Sequence, residues 1–140
     1  MRKFMTTILI SIMYFQLLIA PPSGAGVVFE SEGVNPYEQL WDAVCQVESS
    51  GNPLAIGDKH LKEWSYGIAQ IRQVRIDDYF RRTGIRYTTD DMFCSEKSRE
   101  VFMHYASQNN PHELMKIAKS WNGSGDMTIA YWRKIRKHLN

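Results

Sequence analysis

Cysteine and histidine are scarce in this chain of 140 residues, and neither is clustered. Two cysteines, Cys45 and Cys94, and four scattered histidines, His60, His104, His112 and His138, show no ligand spacing. A structural metal site is therefore not expected, and no cofactor motif stands in its place. Low-complexity runs and internal repeats are also missing, which excludes solenoids and propellers. Charge of one sign is missing too. The formal excess of +2 is accounted for by Arg2 and Lys3, because residues 1–25 carry no acid. Residues 26–140 are neutral, which speaks against a dedicated nucleic-acid binder. The remaining composition, 44% hydrophobic and 23% charged, is that of one ordinary globular domain.

The first 25 residues read as an export signal. Arg2 and Lys3 precede an uncharged, largely apolar run from Phe4 to Ala20, broken by Pro21, Pro22, Ser23 and Gly24. Ser23-Gly24-Ala25 fits a small-x-small cleavage site. The alternative is an uncleaved membrane anchor, since the run is near the lower length limit for spanning a bilayer. Either way the rest of the chain is expected beyond a membrane, in the periplasm or cell envelope. In that compartment an even cysteine count favours one Cys45–Cys94 disulfide over two free thiols.

Residues 26–34 form a short lead-in, and residues 35–140 carry the domain. Asn35-Pro36 predicts a helix start. Leu40, Trp41, Val44, Cys45 and Val47 follow at helical spacing up to about Ser49, where Ser50-Gly51-Asn52-Pro53 stops the helix. Leu54 to Trp64 reads as loop or short strand. Gly67 allows a close backbone approach. Ile71, Val74, Ile76, Tyr79 and Phe80 predict a second helix, ending at Gly84. Thr88 to Phe93 reads as a polar turn, and Ser95 as the cap of a helix with Val101, Phe102, Tyr105 and Ala106 inside. Asn110-Pro111 repeats the first helix start, with Glu113 placed for a capping box. That helix carries Leu114, Met115, Ile117, Ala118 and Trp121. Asp126 is placed to cap a last helix with Ile129, Tyr131, Trp132, Ile135 and Leu139. The basic residues Arg133, Lys134, Arg136 and Lys137 suit its C-terminal end. The expected architecture is mainly α, about five to six helices with little or no sheet.

Among the acids Glu48 stands apart. It falls in the last turn of an apolar helix, beside Val44, Cys45 and Val47, where the helix dipole disfavours a negative charge. A carboxyl in such surroundings holds its proton closer to neutrality, as a general acid must. A satisfied structural carboxylate is the competing reading.

Glu48-Ser49-Ser50-Gly51-Asn52-Pro53-Leu54-Ala55 resembles the glutamate motif of the SLT-type lytic transglycosylases, of the lysozyme-like superfamily. Tyr66-Gly67-Ile68-Ala69-Gln70-Ile71 is similar to their Gly-Leu-Met-Gln block, and Ser120-Trp121-Asn122-Gly123-Ser124-Gly125 to their Ala-Tyr-Asn-Ala-Gly block. Tyr131 occupies the place of a late active-site tyrosine. The blocks span Pro36 to Leu139. The resemblance implies a compact lysozyme-like domain that binds peptidoglycan glycan strands. It implies cleavage of the β-1,4 bond between N-acetylmuramic acid and N-acetylglucosamine, closing a 1,6-anhydro ring. Glu48 would be the sole acid and base, oriented by Tyr131. Gln70 and Asn122 would bind sugar groups, with Ser49, Ser65, Tyr66 and Trp121 also at the substrate. Asp58, in the insertion Gly57 to Trp64, is a candidate second carboxylate, which would make the protein a muramidase-type hydrolase. A non-catalytic glycan-binding module is the third reading. A monomer is expected, with an envelope-spanning secretion or conjugation machine as its associated partner.

Overall fold

The structure, a computed structural model, describes residues 35–139; the expected leader (1–25) and lead-in (26–34) lie outside the described residues. The described part is mainly helical, five α-helices with a small three-stranded sheet.

Helix α1 runs Glu38–Ser49. Asn35 opens the turn before it: its Oδ1 accepts the Tyr37 N–H at 3.0 Å and its carbonyl accepts the Glu38 N–H. The helix buries Leu40, Trp41, Ala43, Val44 and Cys45. It stops because Ser50 takes a left-handed backbone, φ 54°. The N–H groups of Ser50 and Gly51 then close on the carbonyls of Gln46 and Cys45.

Three two-residue strands follow, β1 (Ile56–Gly57), β2 (Ser65–Tyr66) and β3 (Ile71–Arg72), antiparallel in the order β1-β2-β3. The register pairs Gly57 with Ser65 and Ser65 with Arg72. The β2–β3 turn presses at Gly67 against the segment that carries Met92. A Cβ there would lie 1.8 Å from the Met92 carbonyl oxygen, and φ is +73°. Only glycine fits.

Helix α2 runs Gln73–Thr83 and ends at Gly84. Its expected apolar face is corrected in two places. Ile71 belongs to β3, and Val74 is 58% exposed, leaving Ile76 and Tyr79 as the buried pair. The expected polar turn at Thr88–Phe93 is a single 3₁₀ turn (Asp90–Phe93) that sends Met92 fully into the core. Asp91 closes it locally by accepting the Thr88 N–H and hydroxyl.

Helix α3 spans Ser95–Ala106, α4 Leu114–Asn122 and α5 Met127–Ile135. Three expected caps are absent. Ser95 is the first helical residue rather than a cap, Glu113 pairs with Lys116 instead of reaching back, and Asp126 makes no capping bond. The helix start expected at Asn110-Pro111 is also shifted: α4 begins at Leu114, and Asn110 Oδ1 accepts the His112 N–H at 2.9 Å in the turn that precedes it. Helix α5 packs on α4 and α1. Phe102 lies at the centre of the helical core, its ring 5.3 Å from Trp41 and 5.1 Å from Trp121. Met115 and Ile129, expected on apolar faces, are about half exposed.

Candidate active site

The end of α1 and the middle of α5 meet at Glu48. The Tyr131 hydroxyl donates to Glu48 Oε1 at 2.8 Å, across 83 residues of sequence. Burial pushes the Glu48 carboxyl above its ordinary range. The bond from Tyr131 pulls it back, the charge of Asp58 adds to the rise, and Arg72 and Lys134 oppose it. The net direction is upward. Burial and the charge of Glu48 also raise the Tyr131 hydroxyl, so it stays a donor.

Glu48 opens on a cleft of about 480 Å³ between the helices and the small sheet. The helical wall presents Arg75, Trp121 and Asn122; the sheet wall presents Gly57, Asp58, Ser65, Gln70 and Arg72. Asp58 thus faces the same space as Glu48. Its carboxylate is gripped by Arg72, Nη2 at 2.7 Å and Nε at 3.2 Å. Partial burial works against its charge, but the bonds from Arg72 and Ser65 and the charges of Arg72 and His60 together hold its carboxyl below the usual range. The cleft therefore has one carboxyl pushed toward its neutral form and one held ionised, the division of labour that separates an acid from a charge stabiliser.

The other expected residues divide. Ser65 is buried and donates to Gln70 Oε1 at 2.7 Å. Gln70 lines the cleft, but its Nε2 donates to the carbonyls of Gly67 (2.9 Å) and Ala55 (3.3 Å). Both amide protons are committed to the sheet wall, so Gln70 is first a clasp for that wall, with one lone pair of Oε1 left for a ligand. Asn122 ends α4, is exposed, and its side chain makes no hydrogen bond within the described residues. Trp121 is 7% exposed and chiefly core, touching the cleft along one side.

Two expectations fail. Ser49 does not reach the cleft: its hydroxyl donates to the Ile68 carbonyl at 2.8 Å and ties α1 to the β2–β3 turn. Tyr66 cannot share the cleft with Ser65, because successive strand residues face opposite sides. It stands edge-on to Phe93 and lines a separate hollow with Lys62, Trp64 and Gln73. The expected disulfide is also corrected. Cys45 and Cys94 are both free thiols. Cys45 faces the core, where burial pushes its thiol up to about 12. Cys94 sits at the N-terminal boundary of α3 with Sγ 3.1 Å from Glu96 Oε2.

Arg72 and Arg75 were not foreseen. Arg75 lies one helical turn before the buried Tyr79 and next to the buried Ile76 of α2. A cation at that spacing is the signal that could have found it. Among protein-family models, curated proteins and solved structures, none matches this chain.

Proposed function

We propose that this protein is a peptidoglycan lytic transglycosylase with a lysozyme-like fold, acting in the periplasm or cell envelope. One observation carries the reading: a half-buried Glu48 with a raised carboxyl pKa, oriented by Tyr131, at a polar cleft wide enough for sugar rings. The three motif blocks of the sequence converge on that cleft through Glu48, Gln70 and Asn122.

Glu48, protonated, gives its proton to the glycosidic oxygen as the bond to the muramic anomeric carbon breaks. The positive charge that develops is met, by resemblance to the family, by the substrate's own N-acetyl oxygen. The muramic 6-hydroxyl then attacks the anomeric carbon, and the Glu48 carboxylate takes the proton of that hydroxyl. No water is consumed and Glu48 ends protonated. A nucleophile within the same sugar needs no second carboxylate to recruit it. Tyr131 keeps the carboxyl aimed in both steps, and Asn122 is the polar group freest to hold a sugar substituent.

Asp58 across the cleft favours a second reading, a muramidase-type hydrolase in which it acts as nucleophile or water base. Its grip by Arg72 weakens it as a nucleophile. Digestion of purified sacculi separates the two by product mass. Anhydro ends, one water lighter than reducing ends, are expected, and reducing ends would overturn the transglycosylase in favour of the hydrolase. Intact sacculi with bound protein would leave a glycan-binding module. Asp58→Asn should keep most of the activity of a transglycosylase. An envelope-spanning secretion or conjugation machine is the partner such a small wall-cutting enzyme would serve.

A further inference from the structure

The charges around the cleft do not balance. Asp58 and Arg72 neutralise one another. Glu48 is shifted toward its uncharged form. Arg75 is left without an ion-pair partner among the described residues. The carboxylate of Asp78, three residues along the same helix, is already held by Arg81, Arg82 and the Tyr105 hydroxyl.

Arg75 is nonetheless fixed in place. Its guanidinium lies 4.4 Å from the Trp121 ring centre and 4.9 Å from that of Tyr105, and Nη2 donates to the Trp121 carbonyl at 2.9 Å. A guanidinium has five N–H donors, and one bond accounts for a single donor. No side-chain nitrogen of the described residues is both buried and unpartnered, so the unbonded guanidinium nitrogens reach solvent, and Arg75 is one of the residues that line the cleft. A pre-aimed, partly desolvated cation of this kind is suited to a planar anion, for which its fork offers two parallel bonds.

We propose that Arg75 binds a carboxylate of the substrate's muramic residue and so makes the cleft prefer wall glycan over uncharged polymers of N-acetylglucosamine. The inference rests on the wall-glycan reading above. Muramic acid differs from N-acetylglucosamine by an acidic ether on O3, two ring carbons from the anomeric centre where Glu48 acts. In peptide-free strands that ether ends in a free carboxylate. In peptide-bearing strands it is an amide, and the carboxylates lie on the peptide. Either source presents the same planar anion near Glu48, where Arg75 waits.

The test is calorimetric binding at low salt to the full chain carrying Glu48→Gln, which prevents turnover. The probes are a peptide-free wall tetrasaccharide with free carboxylates, its methylamide, a peptide-bearing tetrasaccharide, and chitotetraose. At least one carboxylate-bearing glycan should bind on the order of tenfold more tightly than the methylamide and chitotetraose. Adding Arg75→Met should erase that advantage, with the circular dichroism of the parent protein retained to show that the variant is folded. Arg75→Lys keeps the charge without the fork and should retain part of the advantage. Tight binding of the free acid assigns the anion to the ether carboxylate, and tight binding of the peptide-bearing glycan alone assigns it to the peptide. Equal affinity for all four probes, or a preference that survives Arg75→Met, overturns the inference while the wall-glycan reading stands. Failure to bind any of the four overturns that reading too.

Discussion

Glu48 and Glu100 both accept hydrogen bonds from tyrosine, and they are driven in opposite directions. Glu100 takes two, from Tyr79 at 2.6 Å and Tyr87 at 2.7 Å, whose rings stack 5.8 Å apart. It lies at the exposed surface of α3, and those two bonds hold its carboxyl below the ordinary range. Glu48 takes one bond, from Tyr131, and sits at the bottom of a cleft, where burial outweighs the bond and raises it. The same donor chemistry thus accompanies a carboxyl held toward its charged form at one site and one pushed toward its neutral form at the other. What decides is how much water each carboxyl has lost, not who its partner is.

The largest effect expected from breaking this contrast is at Glu48 itself. Glu48→Gln should lower release of muropeptides from sacculi by about a thousandfold or more, with the circular dichroism unchanged. Substantial residual turnover would mean the acid is another residue. Tyr131→Phe comes next. It removes the single bond that pulls the Glu48 carboxyl down and aims it, so activity should fall by about tenfold. The alkaline limb of the pH–rate profile should also move upward, since the carboxyl then holds its proton to higher pH. An unmoved limb would separate Tyr131 from the titration.

Stability against pH should slope in opposite directions at the two sites. Glu48 binds protons more tightly folded than unfolded, so its contribution is complete below the ordinary carboxyl range and is lost as pH rises through its raised native value. Urea titrations should therefore show Glu48→Gln gaining on the parent protein between mildly acid and neutral pH. Glu100 contributes above the ordinary range and loses that contribution as pH falls through its depressed native value. The penalty of Glu100→Gln should be present at neutral pH and fade in acid. Smallest of all, Glu100→Gln should cost about 1 kcal/mol at neutral pH. Its effect on cleavage should be no more than about twofold, because the residue is not among those lining the cleft.

The two sites also differ in how readably the sequence carries them. Glu48 stood out because a carboxylate in the last turn of an apolar helix contradicts its surroundings. The C-terminal end of α1 is marked by Ser50-Gly51, while its start at Glu38 falls two residues beyond the Pro36 start that Asn35-Pro36 predicts. The pairing of Glu48 with Tyr131, 83 positions away, came only from likeness to a family, since no local rule links them. The strands were nearly invisible, because two residues are too few to show an alternation. That gap had a cost at the site: with Ile71 assigned to a helix, the apolar face ran through Val74, and Arg75 was overlooked. Met92 was lost in the same way, inside a stretch whose polar neighbours Thr88, Asp90 and Asp91 spoke for a turn. Cys45 and Cys94 invited a bridge on compartment alone, and compartment says nothing of where a side chain points. Ser49 and Tyr66 sit in the right motifs but serve the scaffold, a distinction that needs coordinates.

Ser50, Asp58 and Gln70 are the non-glycine residues with left-handed backbone among those described, and of the three Asp58 and Gln70 line the cleft. Asp58 and Gln70 need their side chains for the salt link and the clasp. Ser50 has no such duty, since its backbone N–H alone closes the helix. It is the place where an engineer can harden this protein without dulling it: Ser50→Gly should raise the unfolding free energy by about 1 kcal/mol and leave turnover as it was.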